Sequence, residues 1–505
     1  MSCAEQSPHI ALQFISELRL LVAIPADPAP WQRICIQAME RVSSVTIVVG
    51  AALRSGGQRH LAESDTAFDA VVWLDGKPPA AILKLPHRLG VWTLRTDFGE
   101  DFVYGMVNRR ERLKGDPTYR AHVISTMVEG EFVLRSAAMR VRKLSRRTHM
   151  KRSLDALPSL LANAVAQLVS AKTGTISLPR FNPLPEHQMD RRMLMLVVGA
   201  SAIERVWKAL FRHEVWRIGL VRQDLQTLVQ RKALSGVVWL DLKIRRSAIV
   251  ADPFVVSDAD GPVILCELMD YAERPSKLVS IHQDGSINPI EGDLRHSTHL
   301  SYPFVIVHEG RTLCVPETAS RGEVALYDVT DLTRPRRVKT LLPDFPGIDP
   351  TVFCHGGRWW MCCTKAGETV LEDLHLFHSE RLFGSWTAHP RNPVITDISC
   401  ARPAGPIVLL DGHLCRLGQD CRRSYGDGID IRRIVRLDPE GYREESFSRI
   451  APEKGGPYPF GVHTISPGPG FVVVDGKRKA FVAAEFRRAI RAGLSRFGLR
   501  PRRRS

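Results

Sequence analysis

The chain has 505 residues, of which 44% are hydrophobic and 25% are charged, and its formal net charge is +16. This composition is typical of folded globular proteins, and the length predicts two or three domains. The sequence has no apolar run of the roughly 18 residues that a membrane-spanning helix needs, and no signal peptide is evident. We therefore expect a cytoplasmic protein whose 10 cysteines are reduced.

The excess of basic side chains favours contact with anionic partners such as nucleic acid, a membrane surface or an anionic glycan. No nucleic-acid motif accompanies the charge, so a nucleic-acid partner is not expected. The cysteines include no Cys-x-x-Cys pair of zinc spacing, so we predict no structural zinc site.

Residues 15–140 alternate between apolar runs and stretches of helical spacing, which predicts an α/β domain with a Rossmann-like parallel sheet. No Gly-x-Gly-x-x-Gly follows the first strand, so a dinucleotide site of the usual kind is not expected. The predicted strands are residues 18–24, 45–49, 68–73 and 91–94, and the predicted helices are residues 28–42 and 79–85.

The order of these elements over residues 18–140 resembles the N-terminal domain of formyltransferases, most clearly at residues 68–73 and 83–94. Formyltransferases carry an Asn-x-His pattern after the Leu-Gly pair, where this sequence has Thr93 and Arg95. Threonine lacks the amide, and arginine is a permanent cation that cannot act as a base. The resemblance therefore implies the fold without the formyl-transfer chemistry.

Residues 141–212 predict a helical connector, with helices over residues 146–170 and 189–210 and a proline-rich linker at residues 178–185. At the other end of the chain, residues 478–505 predict a basic amphipathic helix and tail. Two interpretations of that helix are open. It is either a peripheral membrane anchor that binds anionic lipid or a terminal helix packed on the N-terminal domain.

Residues 213–477 contain a repeat of about 50 residues, in which each copy opens on a residue followed by proline. Pro253, Pro303, Pro350 and Pro403 are separated by 50, 47 and 53 residues, and a weaker fifth copy covers residues 461–476. This period predicts a five-bladed β-propeller. We also predict that a strand over residues 215–221 pairs with residues 471–474 and closes the ring, which removes exposed strand edges.

The residue at the start of each copy is a candidate for the central channel, because the first strand of a propeller blade lines it. These head residues are Asp252, Tyr302, Asp349, Arg402 and His463. The alternative interpretation is that they only form turns, since proline forces the preceding residue into an extended conformation. Their fixed spacing favours the shared pocket.

Two of the heads, in Ala251-Asp252-Pro253 and in Ile348-Asp349-Pro350, resemble motifs of glycoside hydrolase family 43. That resemblance implies a five-bladed propeller in which Asp252 is the general base and Asp349 orients the general acid. Stretches spread over three blades, from residues 300–304 to residues 425–426, resemble the glucosamine inositolphosphorylceramide transferase N-terminal family. The family implies sugar transfer to a lipid or glycan acceptor.

The hydrolases carry their acid, a Glu, before Gly-Pro in the fourth blade, where this chain has Ala404. Since an inverting hydrolase needs two carboxyl groups, Glu317 and Asp420 are the candidates to replace it. Arg402 could bind a phosphate or carboxylate in bidentate fashion. His463 could act as a base or as a ligand of a divalent cation in the channel, and no cofactor is predicted beyond that open question.

We assign Asp252, Asp349 and Glu317 as the candidate catalytic residues, and Tyr302, Arg402, Asp420 and His463 as candidate substrate-binding residues. Three functions remain open. They are an enzyme that transfers or cleaves a sugar, a glycan-binding propeller that has lost its acid, and a scaffold. The expected partner is a glycan, a nucleotide sugar or a glycolipid, with an anionic membrane surface as a further partner of the C-terminal helix.

Overall fold

The computed structural model describes residues 9–480 apart from residues 14, 26, 75, 246–247, 259–260, 272–274 and 296–297 and the segments 52–67, 84–86, 103–117, 142–145, 170–174 and 185–212. The chain divides into two compact units. The first comprises Met1–Asp190, Pro390–Asp397 and Leu437–Arg443, and the second comprises Arg191–His389, Ile398–Arg436 and Glu444–Ser505. Within the described part of the chain, no helix has both the length and the apolarity needed to cross a membrane.

The first unit contains a six-stranded mixed sheet with the strand order β3-β2-β4-β5-β6-β7. The pairs β2–β3, β2–β4 and β4–β5 are parallel, and β5–β6 and β6–β7 are antiparallel. The strands are β2 Leu18–Ile24, β3 Val45–Ala51, β4 Ala70–Trp73, β5 Val91–Thr96, β6 Thr118–Met127 and β7 Gly130–Arg140, while β1 His9–Gln13 and β8 Thr175–Pro179 form a separate pair. The helices are α1 Pro30–Glu40, α2 Ala80–Leu83 and α3 Arg146–Leu168.

The core of this unit shows why its strands and helices form where they do. The apolar face of β2 packs in one cluster with α1 and α3, including Leu20, Met39 and Leu161. The first helix of the predicted connector therefore belongs to the core of the N-terminal unit. Parallel strands were predicted, but the long antiparallel pair β6–β7 was not. The unit is strand-rich, and its Rossmann-like and formyltransferase-like character stays a prediction.

The second unit contains five sheets, each with a path of four hydrogen-bonded strands, which confirms the predicted five-bladed propeller. Blade 1 has β11 Ala248–Asp258, β12 Gly261–Asp270, β13 Lys277–Ile281 and β14 Ile287–Pro289. Blade 2 has β15 Ser301–His308, β16 Arg311–Glu317, β17 Val324–Asp328 and β18 Arg336–Leu342. Blade 3 has β19 Gly347–His355, β20 Arg358–Lys365, β21 Asp373–Ser379 and β22 Thr387–Ala388, and the short strand β23 Ile395–Thr396 follows. Blade 4 has β24 Val408–Leu410, β25 His413–Asp420, β26 Gly428–Asp438 and β27 Gly441–Ile450.

Blade 5 is built from both ends of the propeller sequence. It contains β9 His213–Val221, β10 Val238–Trp239, β28 Ile465–Gly468 and β29 Phe471–Ala480, and helix α4 Leu225–Arg231 lies between β9 and β10. Strand β9 pairs with β29 in antiparallel register, from Val221 opposite Val472 to His213 opposite Ala480. This pairing confirms the predicted closure of the ring.

The same pairing corrects the predicted start of the C-terminal helix. Residues 478–480 were predicted to be helical, but they are the last residues of β29, because β9 continues to pair with them. The remainder of that prediction, residues 481–505, and the predicted helix over residues 189–210 lie outside the described residues.

A bulge marks the head of each of the first three blades. The pairing of the first and second strands shifts between Ala251 and Phe254, and equivalent shifts occur in blades 2 and 3. The heads Asp252, Tyr302 and Asp349 have φ angles of 55°, 45° and 51°. Left-handed backbone is rare for residues other than glycine, and bulges redirect side chains beside functional sites. The heads are therefore not the extended residues that the turn interpretation expected.

Candidate functional site

Asp252 lies at the bulge of β11 and receives hydrogen bonds from two neighbouring blades. The Thr464 hydroxyl donates to its Oδ1 over 2.7 Å, and the backbone N–H of Tyr302 donates to its Oδ2 over 3.2 Å. His463 Nε2 lies 3.1 Å from Oδ1. Burial opposes ionisation of this carboxyl, but the charge of His463 and these hydrogen bonds outweigh it and lower the pKa of Asp252. Asp252 is therefore an anion at neutral pH.

His463 lies between two buried carboxyl groups. Its Nε2 faces Asp252, and its Nδ1 lies 2.7 Å from Asp475 Oδ2. Burial alone would lower the pKa of the imidazole, yet the charges of Asp475 and Asp252 raise the pKa of His463 to about 10. The ring is therefore an imidazolium that neutralises part of the negative charge around it.

The ligand atoms of Asp252, His463 and Asp475 lie within 4.8 Å of one another, so this group could hold a cation. A histidine must lose a ring proton to bind a metal ion. Here both ring nitrogens face carboxylates, so the imidazolium already supplies the positive charge that a cation would bring. The predicted channel cation stays a prediction.

Asp349 is held by residues from blade 4. Arg402 donates from Nε to Oδ2 over 2.5 Å and from Nη2 to Oδ1 over 3.2 Å, and Gln419 donates to Oδ2 over 3.0 Å. Burial raises the pKa of the Asp349 carboxyl, and the attraction of Arg402 offsets this only in part. The sequence analysis proposed that Arg402 binds a phosphate or carboxylate in bidentate fashion, and in the structure Arg402 binds the Asp349 carboxylate in this way. The guanidinium also lies 5.0 Å from the centre of the Tyr425 ring.

Two buried glutamates face this cluster from the second strands of blades 1 and 2. Glu267 pairs with Ala251 and Glu317 pairs with Ser301, so each lies opposite the residue before a head. Burial, and then the charge of Asp252, raises the pKa of Glu267 to about 8. Burial, and then the charge of Asp349, raises the pKa of Glu317 well above its usual range. Both glutamates therefore keep their protons at neutral pH.

The sequence analysis missed Glu267, although a signal for it exists. Glu267 follows its head residue Asp252 by 15 residues, and Glu317 follows its head residue Tyr302 by the same 15 residues. Aligning the copies on their prolines would have placed both glutamates at one position of the second strand. The next copy has Thr364 at that position, opposite Ile348.

Two candidate substrate-binding residues lie apart from these carboxyl groups. The Tyr302 side chain is fully buried, and its hydroxyl contacts Thr351 Oγ1 over 2.9 Å and accepts from the backbone N–H of Gly405 over 2.9 Å. The Asp420 carboxylate lies 2.8 Å from Arg422 Nη2 and 2.9 Å from Arg449 Nη2. The structure therefore brings together Asp252, Asp349, Glu317, Arg402 and His463. The Tyr302 hydroxyl contacts Thr351 and Gly405 outside its own blade, and the Asp420 carboxylate forms ion pairs with two arginines.

Ala404 occupies the position where the hydrolases have their acid. It is fully buried in an apolar cluster with Leu417 and Ile465. The following residue, Gly405, has a φ of 142° and brings its Cα so near blade 5 that an added Cβ would lie 2.1 Å from the Ile465 carbonyl oxygen. This turn carries no carboxyl group, so any acid must come from elsewhere in the cluster.

Comparison with known proteins finds a family and relatives that are similar to the propeller segment of the chain. Residues 243–456 match the family described as "Glucosamine inositolphosphorylceramide transferase 1, N-terminal". A glucosamine inositolphosphorylceramide transferase 1 of Arabidopsis thaliana is 29% identical over 249 residues, which are 46% of this chain and 32% of the relative. The protein of the same name from Oryza sativa subsp. japonica is 30% identical over 206 residues, 39% of this chain and 28% of the relative. The matched regions thus span about a third of each relative.

The solved structures that match have lower sequence identity to this chain. The exo-beta-1,3-galactanase 1,3Gal43A from Clostridium thermocellum is 12% identical, with a TM-score of 0.31 over 39% of this chain and 49% of that chain. An alpha-L-arabinofuranosidase from Podospora anserina is 9% identical, with a TM-score of 0.34 over 48% of this chain and 94% of that chain. The family match covers residues 243–456, so the propeller segment of this chain is similar to the family described as glucosamine inositolphosphorylceramide transferase 1, N-terminal.

Proposed function

We propose that the propeller catalyses glycosidic-bond chemistry, by transferring a sugar to a glycan or glycolipid acceptor or by cleaving one, with its active pocket in the channel. The observation that carries this proposal is that Arg402 contacts both Asp349 and Glu317 while Asp252 pairs with His463, and that these surroundings lower the pKa of Asp252 and raise that of Glu317. Carboxyl groups whose environments separate their pKa values are typical acid and base partners. The name of the relatives supports a carbohydrate substrate.

Each residue has a defined role in this mechanism. Asp252 takes the proton of the incoming hydroxyl group while that oxygen bonds to the anomeric carbon. Glu317 gives its proton to the leaving oxygen as the original bond to that carbon breaks. Asp252 ends as a carboxylic acid and Glu317 as a carboxylate, so protons and charge balance. Water as the incoming group gives hydrolysis, and an acceptor hydroxyl gives transfer.

Asp349 acts through Glu317 in this scheme. Its negative charge is the largest influence after burial on the raised pKa of Glu317, and Arg402 and Gln419 fix its position. Arg402 Nη2 also lies 3.9 Å from Glu317 Oε2. When Glu317 loses its proton to the leaving group, the guanidinium stabilises the new carboxylate. Asp349 therefore raises the pKa of Glu317 before proton transfer, whereas Arg402 lowers it and stabilises the anion afterwards.

The experiment is a screen of nucleotide sugars and oligosaccharides for release of nucleotide or of a reducing sugar. We expect Asp252→Asn and Glu317→Gln each to lower kcat by about 100-fold or more, with little change in ligand affinity. Asp284→Asn, in an exposed turn of blade 1, is the matched control and should leave kcat unchanged. Turnover that survives both substitutions would refute the assignment.

A glycan-binding propeller without catalysis is the second candidate. Ala404 favours it, because the position of the hydrolase acid lies in an apolar cluster. In that case the same screen gives binding that Asp252→Asn weakens, with no turnover by the wild type. Absence of both binding and turnover points instead to a scaffold.

For the chain outside the described residues, we propose that the basic segment 481–505 attaches the protein to the cytoplasmic face of an anionic membrane. The support is the sequence alone, in which arginines alternate with an apolar stripe. Co-sedimentation with vesicles containing phosphatidylserine should fall when residues 481–505 are removed, and it should fall with added salt. Equal sedimentation of the two proteins would favour the packed-helix interpretation.

A further inference from the structure

His299 lies just before blade 2, at the open side of the two glutamates. Its side chain is 39% exposed, whereas those of Glu267 and Glu317 are 10% and 7% exposed. The Nε2 atom of His299 lies 4.0 Å from Glu267 Oε1 and 3.9 Å from Glu317 Oε1. His299 is therefore a partly solvent-exposed base beside both protonated carboxyl groups.

Ser276 fixes which nitrogen of the His299 ring carries the proton. The Ser276 hydroxyl lies 2.8 Å from the carbonyl oxygen of Leu300, to which it donates, and 2.6 Å from His299 Nδ1. A hydroxyl has one proton to donate, so while Ser276 donates to Leu300 its Oγ accepts a hydrogen bond from Nδ1–H of His299. In the neutral ring, Nε2 then holds the lone pair and presents it to the glutamates.

We propose that His299 is the proton-relay residue of this site and carries protons between solvent and the carboxyl groups of Glu317 and Glu267. Distances of 3.9 and 4.0 Å are longer than a hydrogen bond. A small side-chain rotation or one bridging water would connect His299 to the glutamates. The charged groups that face His299 include these two glutamates, with Arg402 behind Glu317. His299 is thus a positioning residue that acts through Glu317.

The relay restores the acid after each turnover. Glu317 is a carboxylate once its proton has gone to the leaving oxygen. His299 Nε2 takes a proton from solvent and becomes an imidazolium, while Nδ1–H stays bonded to Ser276. Nε2 then gives its proton to Glu317 Oε1, and the ring returns to the neutral form with its proton on Nδ1. Only bonds to hydrogen change, and the net reaction moves one proton from solvent to Glu317.

The catalytic use of this relay rests on the proposed function, but the proton exchange itself does not. The first measurement therefore needs no substrate. After a rapid pH jump, infrared absorption of the protonated carboxyl C=O group reports how fast Glu267 and Glu317 lose their protons. The single variants Glu267→Gln and Glu317→Gln assign the two bands.

We expect His299→Ala to slow this exchange by roughly tenfold or more, and added imidazole to restore the rate. The matched control is His282→Ala in blade 1. His282 also pairs with a serine, its Nε2 lying 3.1 Å from Ser280 Oγ, but it lines a different surface cleft, with Leu220 and Phe471. That variant should exchange at the wild-type rate. Near-ultraviolet circular dichroism verifies that both variants are folded.

Unchanged exchange in a folded His299→Ala protein would overturn the relay, as would slowing that imidazole does not relieve. Loss of the two bands at neutral pH in the wild type would overturn it as well, because the glutamates would then have no proton to exchange. If the substrate screen gives turnover, His299→Ala should lower kcat more than it raises KM. If the screen gives none while exchange still depends on His299, the proposed function fails and the relay stands.

Discussion

Substituting Glu267 with glutamine should stabilise the protein, and this prediction tests the protonation states on which the site depends. The pKa of Glu267 rises from 4.5 to about 8 because burial, and then the Asp252 anion, disfavour its charge. Below pH 4.5 the group is protonated in both the folded and the unfolded chain. Between pH 4.5 and about 8 the unfolded chain releases the proton and the folded chain keeps it.

The sign and size of the effect follow from this difference. The free energy of unfolding falls by about 1.36 kcal/mol for each pH unit over that window, which amounts to roughly 3 kcal/mol at pH 7 and roughly 5 kcal/mol at pH 8. Glutamine has nearly the same shape and no charge to bury. The stability gained by Glu267→Gln should therefore grow from near zero at about pH 4.5 to these values as the pH rises.

Scanning calorimetry between about pH 5 and pH 8 measures this gain as a difference in Tm, and we expect about 5 °C or more at pH 7. Glu380→Gln, at an exposed turn of blade 3, is the control and should show no such trend. If the Tm difference between Glu267→Gln and the wild type stays constant over this range, Glu267 is not held in its protonated form, and the acid–base assignment loses its basis.

Three further outcomes follow from the same contacts. Arg402→Met should cost roughly 3–5 kcal/mol of stability, because it leaves the buried Asp349 anion without its bidentate partner, and adding Asp349→Asn should recover part of the lost Tm. Gly405→Ala should lower the Tm by far more than Gly412→Ala, since a Cβ at residue 405 would meet a backbone oxygen at 2.1 Å and one at residue 412 meets nothing within 4 Å; equal losses would contradict the structure. Removing divalent cations with excess EDTA should leave the Tm unchanged, because the His463 imidazolium already pairs with both Asp252 and Asp475; a clear drop in Tm that added calcium reverses would assign a cation there.

The propeller was predictable because its signals are local and repeated. Proline after four of the five heads and the period near 50 residues predicted the blades, and the apolar runs at residues 215–221 and 471–474 predicted the closing pair. The antiparallel strands β6 and β7 carry no repeat and were missed. They pair from Tyr119 opposite Met139 to Met127 opposite Gly130. A single apolar run in the sequence does not predict such a pairing.

The site was predictable in its membership but not in its connections. The sequence indicated that Asp252 and His463 point into one pocket, but not that Thr464, 212 residues away along the chain, donates to Asp252. The sequence predicted that Arg402 could bind a phosphate or carboxylate in bidentate fashion, but not that its guanidinium donates in this way to Asp349 of the same chain. The protonation states of Glu267 and Glu317 could not be predicted from the sequence either. Burial is the largest influence on their pKa values, and burial depends on how all five blades assemble.

Closure of the ring and the chemistry of the site depend on each other. Asp252 belongs to blade 1, whereas His463 and Thr464, which lower its pKa, belong to blade 5. Blade 5 is complete only when β9 pairs with β29, and Trp216 of β9 then packs against the His463 ring with 4.1 Å between ring centres. In an open ring, Asp252 would lose its imidazolium neighbour, and the glutamates would regain water and release their protons. The separation of base and acid therefore arises from closure of the propeller, not from any one blade.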